Sequence, residues 1–170
     1  MQEKSTRTPN AERRAQMRAR LIEAARALFV EKGYAEASTP EIVRMAGATR
    51  GALYHHFEDK QALFRAVVEA EAQAVTEVID TASTTVDTLD ALAEGSRAFF
   101  DAMSDAARAQ LLLVDGPAVL GAAEMDRIDA GGGRQSLLVG LKAAHPDHDE
   151  ETLAAMAVVL SAAFDRAALE

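Results

Sequence analysis

The chain has 170 residues, 49% apolar and 26% charged, which suffices for a hydrophobic core and excludes a disordered polyelectrolyte. It contains no cysteine, so disulfides, thiolate metal sites and a cysteine nucleophile are excluded. No apolar run approaches the roughly 18 residues of a membrane span, and the polar start MQEKSTRTPNAERRAQ lacks the apolar centre of a signal peptide; a cytoplasmic protein with no membrane partner is expected. The net charge of −9 is unevenly placed: residues 1–60 carry 11 Lys/Arg against 8 Asp/Glu, and residues 61–170 carry 7 against 19. A basic first third on an acidic remainder fits a small DNA-reading head on a larger body. It equally fits two solvated surfaces that differ by chance.

In chain order nearly every segment predicts helix, and none alternates apolar and polar β-branched residues as a half-buried strand does. The expected fold class is all-α: a three-helix head joined by a fourth helix to a larger helical body. Residues 1–9 read as a frayed tail, with the tail boundary placed at 12. Asn10 is the expected N-cap of a long helix whose inner face carries Leu21, Ile22, Ala25, Leu28 and Phe29, and Gly33 ends it. Thr39 before Pro40 is the expected cap of a second, short helix with Ile42, Val43 and Ala46 inward. Gly47 is its left-handed terminator. Thr49 caps a third helix of about two turns ending near Phe57, and Asp59 caps a fourth that opens at Lys60 and runs to about Thr81.

Val86 to about Ser104 predicts a fifth helix, with Leu89, Leu92, Phe99, Phe100 and Met103 apolar. Arg108–Val114 is strongly apolar, and Asp115-Gly116-Pro117 is expected to break or kink it. A helix between Ala122 and Ala144 is interrupted at Gly131-Gly132-Gly133 by a loop, a frayed turn or a hinge. His145-Pro146-Asp147 reads as a loop, and a last helix is expected from Glu150 to Glu170. The expected boundaries are a basic tail at 1–12, a head at 13–60 and a regulatory and dimerisation body at 61–170.

The second and third helices, with the turn at Gly47, have the proportions of a helix-turn-helix over about 38–57. In that motif the second helix enters the major groove and the first crosses the backbone. Thr39 and Thr49, at helix N-termini, suit phosphate. Arg50 lies in the first turn of the reading helix, where it suits a guanine edge. Gly51 permits close approach, Tyr54 lies one turn on with its hydroxyl within reach of a phosphate, and His55 is near the same edge. Leu53 and Phe57 point inward. Lys60 suits a phosphate as a point charge.

The stretches STPEIVRMAGATRGALYHHFEDKQALFRAVV and RARLIEAARALFVEKGY resemble the DNA-binding head of TetR-type transcriptional regulators over about residues 14–70. The Ala-Gly turn, the Tyr-x-His-Phe ending and the following Lys sit at the family spacing. That resemblance implies an all-helical homodimer on a near-palindromic double-stranded DNA operator. It implies a repressor released by a small-molecule effector bound in the body. It places DNA contacts at Thr39, Thr49, Arg50, Gly51, Tyr54, His55 and Lys60, and gives His56 a packing role. The segments AQLLLVDGPAVLG and MDRIDAGGG also resemble part of a regulatory domain found in some of these proteins. Two departures stand out. The triple glycine falls where relatives normally continue a helix, and the sequence stops at Glu170, before the further helix such proteins usually add to a four-helix dimer interface; either a truncated chain or an unusual dimer is expected.

Other chemistries have less behind them. Adjacent helical residues such as His55 and His56 point about 100° apart and do not converge on a metal. His145 and His148, with Asp147, Asp149, Glu150 and Glu151, read as a solvated acidic loop before a helix N-terminus. Gly131–Gly133 lacks the strand-turn-helix context and the Lys-Ser/Thr of a phosphate loop. No cofactor, no metal and no enzyme activity are expected. Phe99, Phe100, Met103, Met125, Met156 and Phe164 line a ligand pocket on the family analogy, and are equally what a helical core uses. The basic tail, with Lys4, Arg7, Arg13 and Arg14, either reaches DNA or is plainly solvated. A DNA-binding regulator or activator controlled by a protein partner, or by no ligand, stays open beside the repressor.

Overall fold

The computed structural model describes residues 10–84 and 88–170, with the backbone alone for Thr88 and Leu89. The tail cations Lys4 and Arg7, a fifth helix starting at Val86 and an apolar role for Leu89 lie outside the described residues. Every regular element among the described residues is helical. The chain divides at Val67/Val68 into two units.

The first unit holds α1 (Asn10–Glu36), α2 (Thr39–Met45), α3 (Arg50–His56) and the opening turns of α4 (Lys60–Ser83). Leu21, Ala24, Ala25, Leu28 and Phe29 form the buried face of α1, one or two turns apart. Gly33, at φ 78°, breaks the helical backbone of α1 near its end. The chain then brings Tyr34 against Phe29 and Phe64, at ring centroid distances of 5.8 and 5.0 Å. Phe29 and Phe64 meet edge-on at 5.1 Å, the geometry aromatic quadrupoles favour. Ile42, Leu53, Phe57 and Leu63 close this core from the other helices.

The cap of α2 corrects the sequence expectation. Ser38, not Thr39, is the N-cap, and Thr39 is the first helical residue with Pro40 second. The reason is reciprocity. Glu41 stands three residues after Ser38, so its carboxylate accepts from the Ser38 N–H while the Ser38 hydroxyl accepts from the Glu41 N–H. A cap at Thr39 would put Ile42 in that place, where no side chain can answer. Lys32 adds an ion pair to Glu41 at 2.6 Å.

The second unit contains the rest of α4, then α5 (Thr88–Met103), α6 (Ala106–Ala109), a π-helical stretch Gln110–Asp115, α7 (Gly116–Leu120), α8 (Ala122–Ala130), α9 (Gly133–Ala144) and α10 (Glu150–Ala167). The expected break or kink at Asp115-Gly116-Pro117 is present as a widened, π-helical turn in a helical path that continues into α7. The Gly116 N–H donates to Leu111 O, five residues back. That widening takes up a proline that lacks a donor and crowds the preceding turn. The expected interruption in the glycine run is present as a turn at Gly131–Gly132, with Gly133 already opening α9. The last helix, expected to run to Glu170, closes at Ala167 with Ala168 as its C-cap.

Packing here centres on α9, which lies against both α5 and α10. Leu141, Leu153 and Ala157 are buried, with Leu92, Leu137, Leu138 and Leu160 packed around them. A Cβ at Gly140 would come 2.6 Å from Leu92 Cδ2, so the missing side chain is what lets Leu92 of α5 sit against α9. Glu71 of α4 and Arg108 of α6 form a mostly buried pair at 3.0 Å. Arg108 also donates to Ala102 O at 3.0 Å, which offsets part of the cost of burying its charge.

Candidate nucleic-acid interface

Helix α3 is short, and its orientation is fixed from both ends. Thr49, extended at φ −106° and ψ 158°, accepts the Ala52 N–H on its hydroxyl at 3.1 Å. At the far end Leu53 is fully buried and Phe57 is 5% exposed. These two apolar anchors turn the opposite face outward. Arg50, Gly51 and His55 are all exposed, with Tyr54 44% exposed beside them. The Arg50 guanidinium stands 5.5 Å from the Tyr54 ring centroid, so one turn of helix pairs a cation with an aromatic face.

The turn before α3 is held by α1. The Arg20 guanidinium donates to Ala46 O and, at 3.2 Å, to Gly47 O, satisfying carbonyls that the end of α2 leaves open. Gly47 takes φ 57°, and the Ala48 N–H returns to Val43 O at 2.9 Å.

The expected site residues do not all stand alike. Thr49, Arg50, Gly51, Tyr54 and His55 are brought together on α3 and its cap. Thr39 is half-buried in the first turn of α2. Lys60 is already engaged within the head: it donates to Ala35 O at 3.1 Å and lies 4.5 Å from the Tyr34 ring centroid. His56 is half-buried, and burial, then His55, Arg14 and Arg18, push its pKa down. Sequence reasoning passed over Arg18, whose guanidinium covers the Phe57 ring at 5.3 Å. Arg14, read as part of a tail, is helical. Arg14 and Arg18 lie four residues apart on one face of α1, a spacing that was legible in the sequence.

Residues 21–67 match the model of bacterial regulatory proteins of the tetR family. Over that stretch the first unit is similar to the head of tetR-family regulators. Over 62 residues it is 39% identical to the HTH-type transcriptional repressor AcnR of Corynebacterium diphtheriae, a stretch covering 36% of this chain and 33% of that protein. Over 99 residues it is 36% identical to the HTH-type transcriptional activator FasR of Mycolicibacterium smegmatis, covering 58% of this chain and 43% of that one. The match thus spans about a third of the length of the AcnR repressor. Likeness of fold extends further. A TetR-family regulator from Pectobacterium atrosepticum superposes with a TM-score of 0.72 at 28% identity, covering 94% of this chain and 83% of that one. The fatty acid degradation regulator FadR of Bacillus halodurans, at 17% identity and a TM-score of 0.70, shares the fold over 88% of this chain and 84% of its own.

The second unit holds an open cavity of about 630 Å³. Of the six side chains expected around a ligand, Phe99 and Phe164 line it. Phe100 packs on Phe164 at 5.3 Å with 39% of its surface exposed, and Met156 is 37% exposed. Met103 is buried in the core away from the cavity, and Met125 lies close to Gly116. Gly140 and Leu92, in contact across α9 and α5, line the same cavity. No described helix is long and apolar enough to cross a membrane.

Proposed function

We propose that this chain is a sequence-specific DNA-binding transcriptional regulator, acting as a homodimeric repressor that a small molecule releases from its operator. The observation that carries the reading is the division of α3. Leu53 and Phe57 are buried while Arg50, Gly51, Tyr54 and His55 are presented together. Within that reading Arg50 reads a base edge, Tyr54 and His55 hold backbone, and Thr39, Thr49 and Lys60 add phosphate contacts. Lys60 does so with N–H groups left over from Ala35, since an ammonium has three. Arg14 and Arg18 extend the basic surface beside the end of α3.

The effector enters the cavity of the second unit and binds more tightly to a state that mismatches DNA. Moving such an equilibrium from 99:1 to 1:99 takes about 5.5 kcal/mol of differential affinity. Selection of bound DNA from a random pool tests the central reading. Near-palindromic sequences with half-sites about 10–10.5 base pairs apart, or a multiple of that, are expected. Recovery of unselected sequence, or of a single half-site, refutes the dimeric, sequence-specific reading. The likeness to the activator FasR keeps the opposite sign of control in view. A reporter placed behind the selected site distinguishes the two.

A further inference from the structure

We propose that the cavity of the second unit takes an organic cation: a ligand with an ammonium-type head and an apolar body. The proposal rests on reading that cavity as the effector site, and it names the class of effector.

Charge and shape both enter. Among the described residues lining the cavity, Asp80 of α4 and Asp129 of α8 are the ionisable ones, and no described Lys, Arg or His lines it. Each carboxylate is positioned by a serine. The Ser136 hydroxyl donates to Asp80 Oδ1 at 2.6 Å, and the Ser161 hydroxyl donates to Asp129 Oδ2 at 2.9 Å. One bond apiece leaves further lone pairs on both carboxylates for donors from a ligand. Arg134 lies 3.5 Å from Asp129, but its shorter bonds, at 2.7 and 2.8 Å, go to the side chain and carbonyl of Asp126. The remaining wall is apolar, with Ile79, Leu92, Leu137 and the rings of Phe99 and Phe164.

Such a wall sets the ligand class by exclusion. An anion would meet two carboxylates, with the nearest guanidinium, Arg134, already committed to Asp126 and Asp129. A neutral guest would displace water from both carboxylates and bring no opposite charge to either. A cation satisfies them, and the wall includes two aromatic rings, a residue type whose π face attracts positive charge. The neighbouring Asp165 agrees with a negative local potential: burial and Asp129 hold its carboxyl above the ordinary range, at about 6.

The test uses the full chain and three probes with one skeleton: 8-phenyloctylammonium, 8-phenyloctan-1-ol and 8-phenyloctanoate. Isothermal titration at neutral pH should show the ammonium binding about tenfold or more tightly than the alcohol, and no binding of the carboxylate. Asp80→Asn keeps an acceptor for Ser136 but removes one charge, and should lower the ammonium-to-alcohol ratio. Asp80→Asn with Asp129→Asn should bring it near one. Should the double variant not fold, the wild-type ratio is followed from about 0.05 to 0.5 M salt, across which screening should shrink it. Equal affinity of ammonium and alcohol, binding of the carboxylate, or a ratio indifferent to both charge removal and salt overturns the proposal. Release of selected DNA is read separately. Ammonium binding without release overturns the effector reading and leaves the ligand class standing. Release by the alcohol or carboxylate alone does the reverse.

Discussion

Arg20 and Gly47 occupy each other's space. The Arg20 guanidinium donates to the carbonyls of Ala46 and Gly47, and a Cβ built on Gly47 would lie 2.7 Å from Arg20 Nη2. Gly47 also sits at φ 57°, where a side chain is disfavoured by about 1–2 kcal/mol. Gly47→Ala should therefore destabilise the head by about 1–3 kcal/mol and weaken DNA binding along with it. Urea denaturation of the single variants and of Gly47→Ala with Arg20→Ala provides the check. The double variant should lose less than the sum of the singles, because one source of clash is gone. Simple additivity would show that the two residues do not interact.

The capping box on α2 makes an acid-dependent prediction. Glu41 is held from the ordinary 4.5 down to about 2, first by the hydrogen bond from Lys32 and then by those from Ser38. A lowered carboxyl pKa stabilises the folded state fully above pH 4.5, and that contribution is lost as pH falls through about 2. Glu41→Gln should therefore be less stable than wild type at neutral pH and match it near pH 2. A gap between the two proteins that stays constant with pH would assign the effect to packing. Ser38→Ala should cost about 1 kcal/mol, the usual loss at an N-cap. Thr39→Ala should cost less, because Thr39 makes no cap.

Much of α3 was legible because local signals agree there. Thr49 is followed by a short run in which Leu53 and Phe57 are buried while Arg50 and Tyr54 are exposed. At α2 two candidate caps stood side by side, and only the partner three residues on distinguishes Ser38 from Thr39. The turn at Gly131–Gly132 followed from composition, yet its packing reason did not. A Cβ at Gly132 would meet Thr76 Oγ1 at 2.8 Å, a residue far off in sequence. The cavity was the least legible feature. Phe99 and Phe100 are adjacent residues of one type, yet Phe99 lines the cavity while Phe100 is 39% exposed, and tertiary packing separates them. Lys60 shows the same limit, since its acceptor and aromatic partner lie about 25 residues earlier, at Ala35 and Tyr34.

Arg50 and Tyr54 should separate specificity from affinity. Arg50→Ala should cost about 1–3 kcal/mol and relax preference at one base pair if the guanidinium reads a base. Uniform weakening on all sequences would make Arg50 a phosphate contact. Tyr54→Phe keeps the ring beside Arg50 and removes the hydroxyl, so it should weaken binding with the sequence preference unchanged. Tyr54→Ala removes the ring as well and should also disturb the preference set by Arg50. Competition binding against single-base variants of the selected site resolves these cases.

Asp165 predicts a stability change of the opposite sign to that of Glu41. Its carboxyl is pushed up from 3.8 to about 6, by burial first and by the charge of Asp129 second. Between those values the folded chain keeps a proton that the unfolded chain has released. Stability therefore falls as pH rises through that window and levels off above it. Asp165→Asn removes the ionisation and should stabilise the protein by about 1–2 kcal/mol near pH 8, after allowance for solvent screening, with little effect near pH 4. Asp129→Asn should recover part of the same gain by removing the second cause. Denaturation curves at the two pH values decide the matter. Equal stabilisation of Asp165→Asn at both would trace the gain to packing and not to the charge at Asp165.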